Sequence, residues 1–376
     1  MHICFITTGD IKNVATAKRA LGMSVPLINA GWRVSILMED TDENRHRVAL
    51  ECTPQTEVFF FKKTSAIHEI IVKNKIINKI KPDFLYVCAF VTRNAVAIGS
   101  RYKKLVEHSE LQSEIPDFKG FRRLKALITE YFSIYYSDGI LCASKYLQKV
   151  FEKKCIKMRF PNKPNLYFPY AYSTNLIHKV NINFNDKKWK ELQGGFRFVY
   201  LGSILRNYGV FTILEAAQKL KKKGFNFKVL ILGKGRHYDL AQDFIKKAEM
   251  EKYVYMPGYI KEEEISSFFS LADCFISPMN DTIQDWARCP SKLYMYLPYC
   301  KPIITCKIGE PFEVLKSNGL YYKPGDADDL CKQMEYIIKN KEKYSTLETL
   351  FQKHTWEYRT HEFTEWIKSN FINKPI

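Results

Sequence analysis

Short apolar runs rich in β-branched and aromatic residues alternate with longer amphipathic stretches along nearly the whole chain. That alternation restricts the fold more than any single motif does. Strands are expected over His2–Thr7, Arg33–Met38, Val58–Phe61, Phe84–Cys88, Leu105–Glu107 and Gly139–Ala143. Helices are expected over Val14–Ala30, closed by Gly31, over Ser65–Lys81, stopped by Pro82, and over Phe121–Tyr136 and Lys145–Lys153. Pro, Asn, Lys and aromatic residues then crowd without periodicity from Phe160 to Asn185. The alternation restarts with strands at Phe196–Leu201, Phe227–Leu232, Tyr253–Met256, Cys274–Ser277, Ile303–Thr305 and Leu320–Tyr322. Helices over Val210–Lys223, Tyr238–Met250, Glu262–Ser270 and Ala327–Lys339, with a short one around Lys292, fill the intervals. Apolar strands separated by helices belong in parallel sheets covered on both faces. The expected fold class is α/β, with two Rossmann-like domains: residues 1–175, a linker at 176–195, and residues 196–355. In such folds ligands sit outside the carboxyl ends of the strands, and with two domains the functional cleft is expected between them.

A chain of 376 residues has room for two such domains. It opens directly into strand-like sequence, so a cleaved leader is not expected, and no apolar run approaches the ~18–20 residues of a membrane span. Ten cysteines without CxxC pairs fit buried, reduced thiols in a cytoplasmic protein better than disulfides or a metal cluster. The 58 Lys and Arg outnumber the 40 Asp and Glu, a net charge of +18, which favours an anionic partner: nucleic acid, anionic lipid or a phosphorylated substrate. No zinc-finger, RRM or basic-heptad pattern accompanies the charge, so nucleic acid is the weakest of the three.

The most informative local stretch is PSKLYMYLPYCKPIITC, Pro290 to Cys306. Pro290 suits a first helical position. Ser291 and Lys292 then fall in the first turn, where free N–H groups attract anions and a lysine is electrostatically misplaced. A bound phosphate would give that lysine a purpose, which points to a nucleoside-diphosphate site.

Five ordered stretches extend this reading: FRFVYLGSILRNYGVFTILEAAQKL, FKVLILGKGRH, VYMPGYIKEEEISSFFSLADCFISP, PSKLYMYLPYCKPIIT and GLYYKPGDADDLCKQM. Together they resemble the second domain of GT-B glycosyltransferases, closest in layout to family 4. His354–Thr355–Trp356–Glu357 resembles the start of that family's final helix, which crosses back onto the first domain, so 356–376 is assigned there. The resemblance implies two Rossmann-like domains facing each other across a cleft, a nucleotide-diphosphate sugar on the second, an acceptor on the first, and no required metal or other cofactor. By position it places Gly202, Gly233, Lys234 and Gly235 on the donor phosphates and nucleoside, Tyr259 and Ile260 at the base, and Glu310 in a loop on the cleft side. Where the family carries Arg and Lys on the diphosphate, this chain has Ser203 and Tyr208; Arg206 and Lys292 are the expected replacements. Two family glutamates fall at Ala287 and Met295, leaving Asp285 as the nearest carboxylate for the sugar hydroxyls. The run Ser291-Lys292-Leu293-x-x-Tyr296 resembles a variant found in bacterial exopolysaccharide glucuronosyltransferases.

In the first half, His108 ends a strand in VEHSE, where an imidazole suits proton transfer from an acceptor hydroxyl; Glu107 and Glu110 are alternates. Gly9, in TTGD, permits close approach of a ligand. The apolar residues of Phe121–Tyr136 recur at helical spacing and are explained first by core packing, while Arg122, Arg123 and Lys125 at its start suit anionic lipid. Asp40-Thr41-Asp42 has the form of a short metal-binding DxD, and Asp326 and Asp328 suit helix capping. The expected function is transfer of a sugar from a nucleotide sugar to a saccharide, lipid-linked at the inner face of the plasma membrane, in bacterial surface glycan synthesis. A non-catalytic subunit of the same fold and a nucleotide-sugar epimerase are the competing readings.

Overall fold

Strand after strand of this chain finds its hydrogen-bonding partner in parallel. The computed structural model describes residues 1–11, 16–173, 180–341 and 352–373. Val14, where the first helix is expected to begin, and 176–179 of the expected linker lie outside the described residues. The chain divides into two units: Met1–Tyr172 with Ala287–Cys289 and His354–Ile376, and Ser173–Trp286 with Pro290–Lys353.

The first unit is built on seven strands: β1 (His2–Ile6), β2 (Arg33–Glu39), β3 (Glu57–Phe61), β4 (Phe84–Val87), β5 (Lys103–His108), β6 (Gly139–Cys142) and β7 (Asn165–Tyr167). Their order is β3-β2-β1-β4-β5-β6-β7, every pair parallel. Such a sheet is paired through helices on its faces, which is why β1, β4 and β6 are buried at every position. Two elements fall where no pattern announced them. Strand β7 lies inside the aperiodic stretch and is only three residues long, too short to show alternation. The helix Asp42–Glu51 is polar over its first six residues; it forms because Thr41 caps it, accepting from Asn44 N, with Asp42 and Glu43 in its first turn. Asp40 is paired with Arg45 at 2.6 Å, so the three residues with the form of a metal motif serve the start of this helix. The helix Trp356–Ile367, capped by Thr355, lays Phe363 against Trp32, Tyr86 and Phe168, with ring centres 5.7–6.0 Å apart.

The second unit has six parallel strands: β8 (Phe196–Leu201), β9 (Phe227–Leu232), β10 (Val254–Gly258), β11 (Cys274–Ser277), β12 (Ile303–Thr305) and β13 (Leu320–Tyr321). The order β10-β9-β8-β11-β12-β13 reverses direction between β8 and β11. Its core gathers Phe198, Tyr200, Ile213, Leu214, Val229, Ile231, Ile276 and Ile304. Part of the expected linker belongs here too: Trp189 packs edge-on against Phe268, ring centres 4.9 Å apart. The helix Ala327–Lys339 is capped by Asp326, which accepts from Asp329 N, while Asp328 pairs with Lys219. All ten cysteines are free thiols, eight of them buried. Among the described residues no helix is long and apolar enough to cross a membrane.

Candidate functional site

A ligand crevice in an open parallel sheet forms where strand order reverses, at the carboxyl ends. In the second unit this is the mouth between β8 and β11, and the loop after β8 is held against the loop after β9. Gly202 N donates to Leu232 O (2.9 Å), Ile204 N to Lys234 O (3.2 Å), and Gly233 N to Gly258 O (2.8 Å). There is no room for side chains between these loops. A Cβ on Gly233 would stand 2.1 Å from Gly202 O, and one on Gly235 would stand 2.7 Å from both Ile204 N and Ile204 O. Gly233 also has φ +139°, a conformation side-chain-bearing residues avoid. Gly233→Ala is therefore expected to cost at least about 2 kcal/mol in urea unfolding, since strained backbone and collision with backbone add. An unchanged midpoint would show that the two loops separate freely.

Lys292 is the charged group brought to this mouth. Its Nζ lies 2.9 Å from where a Gly202 Cβ would be and 4.0 Å from the centre of the Tyr200 ring. Tyr200 OH donates to Ser203 O at 3.1 Å, so ring, lysine and glycine loop form one assembly. Arg206 is exposed on the same loop, its guanidinium 5.3 Å from the Phe211 ring centre, while its backbone N–H donates to His237 Nδ1 at 3.3 Å. Ser203 is exposed, Tyr208 half-buried, Tyr259 exposed and Ile260 buried. The Lys234 ammonium lies 5.9 Å from the Tyr238 ring centre.

Several expected ligand contacts are corrected by burial. Pro290 precedes the helix as its N-cap, and the helix itself is Ser291–Tyr296, with Ser291 half-buried. Leu293 and Tyr296 are fully buried core residues. Tyr296 stacks on Phe275 (4.2 Å, 8° between planes) and its hydroxyl accepts from Leu201 N at 2.8 Å, so it anchors the end of β8 and does not line a donor site. Glu310 is also fully buried, accepting from Tyr294 OH at 2.6 Å; its carboxylate braces the short helix from behind. Asp285 is 1% exposed, with Oδ2 accepting from Asn280 N (2.5 Å) and from Asn280 Nδ2 (3.3 Å). Asn280 Nδ2 also reaches Asn207 O at 2.6 Å, so Asp285 organises the loop after β11 against the Arg206 loop. Asn280 and Tyr200 are the positioning residues that sequence reasoning missed; both look like ordinary strand-end residues in the chain.

In the first unit Gly9 N donates to Glu39 Oε2 (3.1 Å) and Gly9 O accepts from Asn44 Nδ2 (3.2 Å), which fixes the turn after β1. His108 ends β5 and lines a small pocket with Glu107, Ser109, Glu110, Gln112 and Glu130. Its ring stacks on Phe151 at 3.9 Å, and Nε2 lies 3.0 Å from Ser133 Oγ. Burial, with Lys154 adding to it, pushes the imidazole pKa down to about 3. Such a base is too weak to take a proton from a hydroxyl near neutrality, so the expected proton-transfer role of His108 is corrected to that of a neutral hydrogen-bonding and packing group. Glu107 is committed to a buried ion pair with Arg19 at 2.9 Å. Glu110 remains, its carboxyl pKa raised by burial against the opposing pull of Arg288.

The depressed His108 pKa carries a stability prediction with a definite sign. Below about pH 6.5 the unfolded chain takes up a proton that the folded chain refuses until about pH 3. Stability contributed by the neutral ring is complete above pH 6.5 and is lost as pH falls through that window. The separation of the urea midpoints of wild type and His108→Gln should therefore be constant above pH 6.5 and shift steadily against the wild type as pH falls toward 3; curves parallel over the whole range would refute the buried neutral ring.

The segment Ala287–Cys289 is sewn into the first unit: Ser144 Oγ donates to Ala287 O (2.7 Å) and Tyr170 N to Cys289 Sγ (3.4 Å). Ala287 packs with Leu111, Ile134, Ile140 and Leu147, so no carboxylate would fit at this position without breaking that cluster.

Comparison with known proteins agrees with this architecture. The glycosyl transferases group 1 family matches residues 181–350. An uncharacterized glycosyltransferase of Methanocaldococcus jannaschii is 23% identical over 253 residues, 64% of this chain and 60% of the relative. The chain thus spans about three fifths of the length of that curated relative. Among solved structures, sucrose-phosphate synthase from Thermosynechococcus elongatus superposes with a TM-score of 0.76 at 14% identity, covering 100% of both chains. Anabaena HepE in complex with UDP and glucose superposes with a TM-score of 0.75 at 13% identity, covering 98% of this chain and 100% of that one. Residues 181–350 match the glycosyl transferases group 1 family, and the chain has the two-domain α/β fold seen in GT-B glycosyltransferase structures.

Proposed function

We propose that the protein transfers a sugar from a nucleoside-diphosphate sugar to a saccharide hydroxyl. The observation that carries the reading is the Lys292 ammonium set beside a glycine loop at the strand-order reversal of the second unit, a place where diphosphate charge can be met by a cation and backbone N–H groups. Arg206 supplies the second positive charge from the same loop, and no metal is called on. Glu110, its carboxyl pKa raised by burial, is the base for an acceptor bound by the first unit. Ala287 and Met295 stand where the resemblance to family 4 places carboxylates. In keeping with the family, the acceptor is a lipid-linked glycan of a bacterial surface polymer and the protein works at the cytoplasmic side of the membrane.

The HepE complex holds UDP and glucose, which makes UDP-glucose the first donor to test. A panel of UDP-, GDP-, ADP-, CMP- and TDP-sugars should contain one that raises the melting temperature by mass action and releases free nucleotide only when a saccharide acceptor is added. Binding without turnover would favour a non-catalytic subunit, a reading the carboxylate-free Ala287 position supports. Interconversion of the sugar without acceptor would indicate an epimerase.

A further inference from the structure

The helix Ala66–Ile80 turns Glu69, Lys73, Ile77 and Ile80 inward, at spacings of four, four and three residues. Two of these four are charged, and a buried charge is costly unless it is paired and hydrogen-bonded. Glu69 is met by Arg93, its ion-pair partner, and by Thr64 N at 3.1 Å. Lys73 is completely buried, and its Nζ lies 3.9 Å from Glu69 Oε2, beyond hydrogen-bond reach. The ammonium is aimed elsewhere: it donates to Thr7 O (3.2 Å), Arg93 O (3.2 Å) and Asn94 Oδ1 (2.7 Å), with the Phe61 ring centre 4.4 Å away. Burial pushes its pKa down to about 8 against the pull of Glu69 and Glu39, with Arg93 adding to the fall. Near pH 7 it therefore keeps three hydrogens for its three acceptors.

Those acceptors belong to two loops at the carboxyl end of the first unit's sheet, the end at which such sheets bind ligands. Thr7 follows β1 and leads into the turn at Gly9. Arg93 and Asn94 stand in the loop after β4, the strand paired with β1. Asn94 passes the contact on: its Nδ2 donates to Ala89 O at 2.8 Å. Ala89 and Phe90 are a wall of the pocket that holds Glu110. A methionine would fill the lysine's place without burying a charge, so packing alone does not call for an ammonium here. What the ammonium adds is the tie between the two loops.

We propose that Lys73 is a positioning residue for the acceptor: from inside the first unit it holds the loops after β1 and β4 in the shape that receives the acceptor hydroxyl beside Glu110. It touches no substrate and acts through Asn94 and the Ala89 wall. The inference rests on the reading of the first unit as the acceptor side. Holding a reacting hydroxyl in register with its base is worth a large factor in rate, and a small displacement of the wall forfeits it.

Two variants of the full chain test it. Lys73→Met removes the ammonium, whereas Asn94→Asp keeps an oxygen for Lys73 and loses the donor to Ala89 O. Hydrogen exchange read by mass spectrometry should quicken at least about tenfold over residues 88–96 in both variants, and over 7–11 in Lys73→Met alone, with other segments unchanged. Acceptor KM should rise about tenfold or more in both, while donor KM and the rise in melting temperature with UDP-sugar stay at wild-type values. Unchanged exchange in the two loops, or exchange that quickens throughout the first unit, overturns the proposal. So does loosened loop exchange with an unchanged acceptor KM, or a rise in both KM values together. A wild-type chain that turns over none of the donors would count against the transferase reading instead, and exchange would still decide whether Lys73 holds the loops.

Discussion

Lys292→Met should lower kcat/KM by about 10²–10³, the range seen when one group meeting developing charge is removed. Methionine keeps most of the stem's length and loses the ammonium that lies between the Tyr200 ring and the Gly202 loop. The loss should appear mainly in turnover, because diphosphate charge grows as the sugar leaves, and a group that acts only then raises kcat more than it tightens binding. Stability should fall by no more than about 1 kcal/mol, the worth of a cation–ring contact. Nucleotide release measured against donor concentration, beside a thermal melt, checks both parts. A variant with wild-type turnover would remove Lys292 from the mechanism. One that loses activity only in proportion to folded protein would leave it a packing residue.

The largest stability effect is expected at Arg19. Its side chain is completely buried, paired with Glu107 at 2.9 Å and donating to Pro169 O at 2.9 Å. The guanidinium lies 4.8–5.7 Å from the ring centres of Phe168, Tyr170 and Trp356. Arg19→Met leaves the Glu107 carboxylate buried without its counter-charge, which costs about 3–5 kcal/mol. For a unit of this size that is a fall of roughly 6–20 °C in melting temperature. Burial already raises the Glu107 pKa against the pull of Arg19, so removing the arginine should drive that carboxyl to its neutral form. Adding Glu107→Gln to Arg19→Met should then recover much of the loss. A single variant costing under about 1 kcal/mol, or a double variant no better than the single, would show that the pair is not what holds this region.

How much of this was legible in the chain depended on whether a feature was local. Strands β1, β8, β9 and β11 are predominantly apolar runs, and the helices Val210–Lys222 and Ala327–Lys339 show clean periodicity, so most of both sheets could be read directly. Lys292 was legible for the opposite reason: a cation in a first helical turn contradicts the local rule and asks for an explanation. The sides of the short helix Ser291–Tyr296 were not legible, because six residues give no periodicity to orient Leu293 and Tyr296. Glu310 and Asp285 look like surface carboxylates in sequence and are interior acceptors in the fold, each held by a donor that no spacing rule points to. The helix Phe121–Tyr136 shows the limit most plainly: Phe121, Leu124, Ile128 and Phe132 of the stripe expected in the core are exposed, because periodicity identifies an apolar face and says nothing about which way it turns.

The excursion of Ala287–Cys289 into the first unit, followed by the return of His354–Ile376, has a consequence for synthesis on the ribosome. The first unit cannot close over Ile140, Tyr170 and Phe168 while only its own strands have emerged, since a loop and a helix from far downstream complete it. The second unit's stretches after Ser173 lie between those contributions, so its sheet can assemble first while the amino-terminal half waits with apolar surface uncovered. Cutting the chain at either crossing should yield halves that aggregate, whereas a polypeptide that carries the helix Trp356–Ile367 can fold to completion.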